Sequence, residues 1–308
     1  MTAVRPPMVE SLLMSCPICG SARSSLVQKE PASPDPTRSV AYTQREISVV
    51  ACRDCSFVYV ERDFPESYVN AYYEERAGGG YGLSQENFFW WHEATKYSNH
   101  HILSLLGAPN GRRMLEVGCG IGTFLTDARD AGWQISALEI NAEFPEFCRK
   151  ELGIEDVKLG LISDPPFAEA SFDAIAMLDV LEHMYDPIES LRQCARLLKP
   201  GGVVVVKSPN GAMQLRKERL KKRLKRGDGY VAGVGHLNQF TPKTLALAFR
   251  TVGLEPTLIR PAKSFQQGIT GPGLTPKRVA RHIAVATANA AMQATGVGLN
   301  LIGIGKKK

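Results

Sequence analysis

Leu115-Glu-Val-Gly-Cys-Gly-Ile-Gly122 decides the fold, because an apolar run that stops on three alternating glycines describes a strand ending at a nucleotide-sized ligand. In a dinucleotide site the glycine turn leads into a helix whose N-terminal amides receive a pyrophosphate, and the spacing is GxGxxG. Here the spacing is GxGxG, and Glu116 stands two residues before the first glycine. A carboxylate repels a phosphate at short range and suits a ligand carrying an amine or a sulfonium. The pattern therefore points to S-adenosylmethionine rather than NAD. Taken alone, the motif reads equally well as a structural turn.

Working outward, Thr123 to Gly132 has helical composition and a glycine stop, and Trp133-Gln-Ile-Ser-Ala-Leu-Glu139 reads as a second buried strand ending in an acid. A carboxylate at that place can accept both hydroxyls of a ribose. Strand, glycine turn, helix, strand and acid make one right-handed βαβ unit. The alternation continues with a helix over Phe144 to Leu152, a strand near Val157 to Gly160, a strand over Phe172 to Asp179 and an amphipathic helix over Ile188 to Leu198. Lys199-Pro-Gly-Gly202 then reads as a turn into Val203 to Val206. Four valines without alternation mark a strand buried on both faces, as in a parallel sheet flanked by helices. A helix over Pro242 to Val252, a strand over Thr257 to Arg260 and a last strand over Leu299 to Ile304 complete the pattern, with an insertion of about forty residues before the last strand that holds a helix from Pro276 to about Gln293.

At 308 residues the chain is long enough for one main domain and a smaller appendage. Its net charge of +6 is unevenly spread: no acidic residue follows Glu255, and Leu215 to Arg226 holds eight Lys or Arg. The N-terminal MTAVRPPMVESLLM lacks a basic start followed by a long apolar core, so no signal peptide is expected and a cytoplasmic protein is. The uncharged stretch from Ile283 to Gly305 contains Asn289, Gln293, Asn300 and several glycines, which reads as a helix followed by a strand and not as a membrane span.

Cys16-Pro-Ile-Cys19 and Cys52-Arg-Asp-Cys55 form two CxxC knuckles separated by 32 residues. Four thiolates at this spacing satisfy a tetrahedral zinc ion, and a small ribbon with few apolar residues needs such a staple. With four cysteine ligands no coordination position remains for water, so the zinc is expected to be structural. Cys119, Cys148 and Cys194 read as small packing residues. Next come Tyr68, Tyr72, Tyr73 and Tyr81 near Gly78 to Gly80, which read either as a lid over a ligand or as packing between the ribbon and the main domain. A helix over Glu86 to Leu106, loaded with Phe88, Phe89, Trp90 and Trp91, is expected to cover one side of the cofactor pocket.

On LEVGCGIGTF at 115–124, Glu139, FDAIAMLDVLEHMYDP at 172–187 and LLKPGGVVVV at 197–206, the chain resembles the class I S-adenosylmethionine-dependent methyltransferases over roughly residues 110–260 plus the last strand. With its two CxxC knuckles and YVNAYYEERAGGGYG at 68–82, it is also similar to a bacterial subgroup of sugar and natural-product methyltransferases. The resemblance implies a Rossmann-like α/β fold, a seven-stranded mostly parallel sheet with helices on both faces, beside the small zinc ribbon. The expected division is a ribbon at 1–62, a helical lid or linker at 63–108 and the cofactor-binding domain at 109–308, with a basic lid segment at 211–236 and the insertion at 261–298. It further implies that Glu116, Gly118, Gly120 and Gly122 surround the methionine part of the cofactor, that Glu139 holds the ribose, and that the backbone at Leu178 and Asp179 lies beside the methionine end. Many relatives place an Asp after the third strand to meet the adenine, where this chain has Leu161, with Ser163 and Asp164 close by.

Methyl transfer is an in-line displacement at an activated carbon, so the protein must align the acceptor and remove its proton. His183, just past the fourth strand, and His236, in GHLNQF, are the candidate bases, with Asp179 and Glu182 able to orient either; each histidine also reads as a structural hydrogen-bonding residue. The favoured reading is a methyltransferase acting on a small molecule, a sugar, polysaccharide precursor or secondary metabolite, with oxygen favoured over carbon. The basic run is a solvated lid helix or a site for an anionic substrate. An RNA methyltransferase using the ribbon and the basic run is the alternative, and a non-catalytic zinc-ribbon adaptor the third.

Overall fold

The computed structural model describes residues 15–31, 46–74, 83–224, 235–262 and 298–308, with a few positions between 287 and 295. The Gly78 to Gly80 hinge, Tyr81, most of the proline-rich connection, residues 225–234 of the basic segment and nearly all of the insertion lie outside them.

Among the described residues the main sheet has seven strands, in the order β10 (Leu254–Pro261), β11 (Asn300–Lys307), β8 (Leu198–Pro209), β7 (Phe172–Leu178), β4 (Arg113–Val117), β5 (Gln134–Glu139) and β6 (Val157–Leu159). Its parallel half consists of β4, β5, β6, β7 and β8. The C-terminal strand β11 runs antiparallel between β8 and β10. The order steps outward both ways from β4 and β7, which opens a crevice at their C-terminal ends. Val204, Val205 and Val206 are completely buried, as an unalternating run in a sheet covered on both faces requires. Lys199 to Gly202 is not a separate turn. It belongs to β8 as an irregularity, since Phe172 pairs with Leu198 and Ala174 already with Val203, and Gly201 takes a positive φ of 77° within it.

Helices α3 (Thr123–Asp130), α4 (Glu143–Leu152), α5 (Pro187–Leu197) and α7 (Pro242–Thr251) follow the strands, preceded by α1 (Glu66–Glu74) and α2 (Gln85–Leu106). α5 starts where the sequence sets it: Pro187 occupies the first turn and Asp186 accepts hydrogen bonds from the amides of Ile188 at 3.0 Å and Glu189 at 2.9 Å. The basic helix α6 (Gly211–Arg223) leaves the end of β8, with Leu220 56% exposed among its cations.

The N-terminal strands β1 (Ser24–Pro31), β2 (Glu46–Cys52) and β3 (Val58–Val60) form a second, antiparallel sheet. Its fourth strand is β9 (Asn238–Gln239), which comes from the far end of the main domain and pairs Val58 with Gln239 and Tyr59 with Asn238. The two sheets also share one core: Cys16, Ile18 and Phe57 belong to the same buried cluster as Leu115, Ile175 and Phe240, with the Phe57 and Phe240 rings 5.1 Å apart.

Candidate active site

A cavity of about 640 Å³ opens at the C-terminal ends of β4, β5 and β7. Gly118, Gly120, Glu139, Asp179, His183 and His236 all line it. Glu116, Gly122 and Leu178 are not among its lining residues. Gly118 has a φ of +71°, and a Cβ there would meet Val180 Cγ2 at 2.7 Å, so glycine is required for the close passage of β4 over the β7 loop. Gly120 has a φ of +51° and nothing within 4 Å of a Cβ position, so its bare backbone faces open space. Gly122 is the N-cap of α3, and a Cβ on it would press on Leu152 and Cys148.

The Glu139 carboxylate is fixed from both sides. Its Oε2 accepts from the Gly120 amide at 2.9 Å and its Oε1 from the Asn141 amide at 3.1 Å. Burial raises its pKa, and the amides of Gly120 and Asn141 pull it back. Glu116 is buried behind the loop. Burial, helped by the charges of Cys148, Glu139 and Asp127, raises its carboxyl well above the ordinary value, and its Oε2 has no hydrogen-bond partner among the described residues. At the end of β7, Asp179 adopts a φ of +57° and its carboxylate pairs with Lys207. Leu161 and Ser163 also line the cavity, whereas Asp164 does not appear among its lining residues. An acid pre-oriented by amides and an open glycine backbone, on one wall, fit the ribose and chain of S-adenosylmethionine.

His183 sits in the short 3-10 turn after β7 (Leu181–His183). Its Nδ1 contacts the Gly235 carbonyl oxygen and lies 2.7 Å from the Tyr73 phenol oxygen, whose hydroxyl donates to the same carbonyl at 2.8 Å. A carbonyl only accepts, so Nδ1 carries the hydrogen and Nε2 is the basic nitrogen of the neutral ring. The His236 ring stands 4.9 Å from that of His183, centroid to centroid. Glu182, 3.9 Å from His183 Nε2, is fully buried, and desolvation pushes its carboxyl up to about 8. The sequence left Tyr73 among a cluster of tyrosines read either as lid or as packing. Structurally Tyr73 lines the cavity while Tyr72 packs in the core between α1 and the ribbon, so the cluster divides between the two roles. Asn141 fastens α1 over the cofactor loop by donating its side-chain amide to the Glu74 carbonyl at 2.7 Å.

One expectation changes. Helix α2 contributes no lining residue to the cavity. Instead Ile102, Leu103 and Leu106 pack against Met114, Phe124 and Trp133, and the buried Asp127 of α3 accepts from His92 Nε2 and Asn99 Nδ2, each at 2.8 Å. The apolar spacing of α2 thus serves the sheet and α3, and Phe89 and Trp90 are left exposed.

The sulfurs of Cys16, Cys19, Cys52 and Cys55 lie within 4.8 Å of one another. Cys16 and Cys55 are 3.6 Å apart and Cys19 and Cys52 3.5 Å, close to the sulfur–sulfur edge of about 3.8 Å that a tetrahedral zinc with 2.3 Å bonds requires. Burial raises the thiols of Cys16 and Cys55, the latter to about 11, whereas at Cys52 burial is outweighed by hydrogen bonds from the Cys55 and Asp54 amides and with the neighbouring thiols, which bring it to about 7. The cluster fits a closed, structural metal site.

A family model described as "Methyltransferase domain" matches residues 90–259. Over 129 residues, 42% of this chain and 48% of the relative, the sequence is 29% identical to a probable S-adenosylmethionine-dependent methyltransferase of Mycolicibacterium smegmatis. Over 107 residues, 33% of this chain and 45% of the relative, it is 36% identical to a ubiquinone biosynthesis O-methyltransferase of Xanthomonas axonopodis pv. citri. The chain spans about half the length of the curated relatives it matches. In fold it is similar to the geranyl diphosphate C-methyltransferase of Streptomyces coelicolor, with a TM-score of 0.53 and 14% identity over 79% of this chain and all of that one. Among the described residues no helix is long and apolar enough to cross a membrane.

Proposed function

We propose, for a chain that belongs to the methyltransferase-domain family, that it transfers a methyl group from S-adenosylmethionine to a hydroxyl of a small molecule. The observation that carries this reading is the one cavity lined both by the Gly120–Glu139 hydrogen bond and by the two histidines. Glu139 holds the ribose hydroxyls, Gly118 and Gly120 let the backbone approach the methionine chain, and Asp179 borders it. Glu116 and Gly122 support the loop from behind. When bound, S-adenosylmethionine supplies a methyl carbon already activated by a sulfonium. The chain supplies alignment and a proton acceptor, Nε2 of His183, with His236 beside it. A hydroxyl acceptor, which loses a proton on methylation, suits that base. The structural zinc belongs to the four cysteines, away from the chemistry.

Calorimetric titration with S-adenosylmethionine, followed by a labelled-methyl product screen over nucleotide sugars and phenolic metabolites, tests the reading. Undetectable cofactor binding would sink it. The second reading, an RNA methyltransferase, draws support from the exposed cations Arg216, Lys217, Arg219 and Lys222 on α6, where an anionic part of a small acceptor is the alternative occupant. It expects salt-sensitive RNA binding that is lost when those cations are neutralised.

A further inference from the structure

Arg62 follows β3 by two residues and is completely buried, yet among the described residues no carboxylate is a hydrogen-bond partner. Its guanidinium is spent on oxygens of three segments, the end of β3, the turn after β7 and the chain entering β9. Nε donates to the Tyr185 carbonyl at 3.3 Å, Nη1 to the carbonyls of Val60 and, at 3.5 Å, Leu237, and Nη2 to the Asn238 side-chain oxygen at 2.6 Å. The Tyr59 and Tyr185 rings flank it at 5.7 and 5.9 Å. Burial lowers its pKa only to about 10, so the group stays charged at neutral pH.

Asn238 carries the connection onward. With Oδ1 occupied by Arg62, its Nδ2 donates to the carbonyls of Leu181 at 3.3 Å, Glu182 at 3.3 Å and Met184 at 2.8 Å. The Leu181 carbonyl also accepts from the Met184 amide at 3.4 Å, and the two hydrogens of the Asn238 amide, shared among the three carbonyls, fix the path of the turn. His183 lies inside the gripped segment and His236 one residue before Leu237, so the two rings hang from opposite sides of one clamp.

We propose that Arg62 and Asn238 are positioning residues that set His183 and His236 relative to each other, and that they tie this geometry to the cysteine-bearing sheet through β3. The importance of that geometry for methyl transfer rests on the proposed function; the clamp itself rests on the hydrogen bonds. Burying a guanidinium costs free energy that hydrogen bonds to neutral oxygens serve to offset, so the clamp is better explained by the placement it enforces.

The test is side-chain NMR of histidine-labelled full-length protein, read beside calorimetric S-adenosylmethionine binding and zinc content. Asn238→Asp keeps an acceptor for Arg62 and removes the donor to the turn. The imidazole resonances of His183 and His236 are expected to shift and broaden, while zinc content stays at the parent level and the cofactor Kd within about twofold. Arg62→Lys, which reaches fewer carbonyls, is expected to give an intermediate shift. If Asn238→Asp does not fold, Asn238→Ser, a smaller side chain with one donor, carries the same expectation. Unmoved imidazole resonances in a folded variant overturn the proposal, as does failure of all three variants to fold, which would make the pair a fold determinant. Absence of cofactor binding in the parent protein would instead overturn the functional reading and leave the imidazole comparison readable.

Discussion

The phenol oxygen of Tyr73 lies 2.7 Å from Nδ1 of His183, across 110 positions of sequence, and joins helix α1 to the turn after β7. This contact, together with the Gly235 carbonyl, fixes the tautomer of the histidine. His183→Gln is therefore expected to lower turnover by about 10²- to 10⁴-fold, the range for loss of a general base. Tyr73→Phe, which leaves the carbonyl contact, is expected to cost about tenfold, or ~1.4 kcal/mol. Methyl-transfer rates with a responding acceptor, measured beside cofactor affinity, check this. A fall in cofactor affinity equal to the fall in rate would contradict the assignment.

Gly120 offers a cleaner test of the cofactor site than Gly118 does. Among the described residues a side chain at 120 meets no atom within 4 Å of its Cβ, whereas one at 118 collides with Val180. Gly120→Val should fold, at a cost of about 1–2 kcal/mol for its positive φ, and lose measurable S-adenosylmethionine binding. Glu139→Gln should weaken binding by ~1–3 kcal/mol through its ribose contacts. A Gly120→Val variant that binds the cofactor normally would move the site elsewhere.

Metal analysis should return one zinc per chain, held by Cys16, Cys19, Cys52 and Cys55. Because the ribbon shares its core with the main domain, Cys52→Ser or a strong chelator should lower the thermal midpoint of the whole protein in one cooperative transition. Two separated transitions, with the upper one unchanged, would show that the ribbon melts alone.

The buried carboxyls make stability depend on pH in a stated direction. Glu182 keeps its proton to about pH 8 when folded, against 4.5 ordinarily, and burial raises Glu116 and Glu139 in the same sense. The unfolded chain releases these protons first. The stabilisation is therefore complete below about pH 4.5 and is lost as the pH climbs through the folded value near 8. Glu182→Gln should match the parent's melting temperature near pH 4.5 and exceed it by about 3 °C or more above pH 8. Equal midpoints at alkaline pH would refute the raised value.

Local signals made much of the fold legible. Glycine spacing marked the loop between β4 and α3, the unalternating valines marked β8, and the amphipathic spacing from Ile188 to Leu198 marked α5. Gly118, Gly120, Glu139 and Asp179 line one cavity because each ends a parallel strand or follows one, which periodicity reveals. The remainder depended on contacts far apart in sequence. Nothing near Arg62 says that its partners are Tyr185 and Asn238, and a two-residue strand such as β9 has no periodicity to read. The apolar load of α2 was evident from its residues, but whether it faced the cavity or α3 depended on the buried acid at Asp127. At Lys199 to Gly202, turn-forming residues were absorbed into β8, because pairing with β7 resumes on the far side.

β3 finds its last partner about 180 residues further along the chain, at Asn238 and Gln239. During synthesis the β3 edge of the ribbon therefore emerges unpaired by β9, and it stays so until five of the seven strands of the main sheet, β4 to β8, have been made. An open edge held that long invites pairing with other chains, and closing so distant a contact is slow. The brevity of β9 and β3 limits that hazard: a three-residue edge offers a stray strand little to hold, and metal capture by the two CxxC knuckles can fix the ribbon before its final strand arrives.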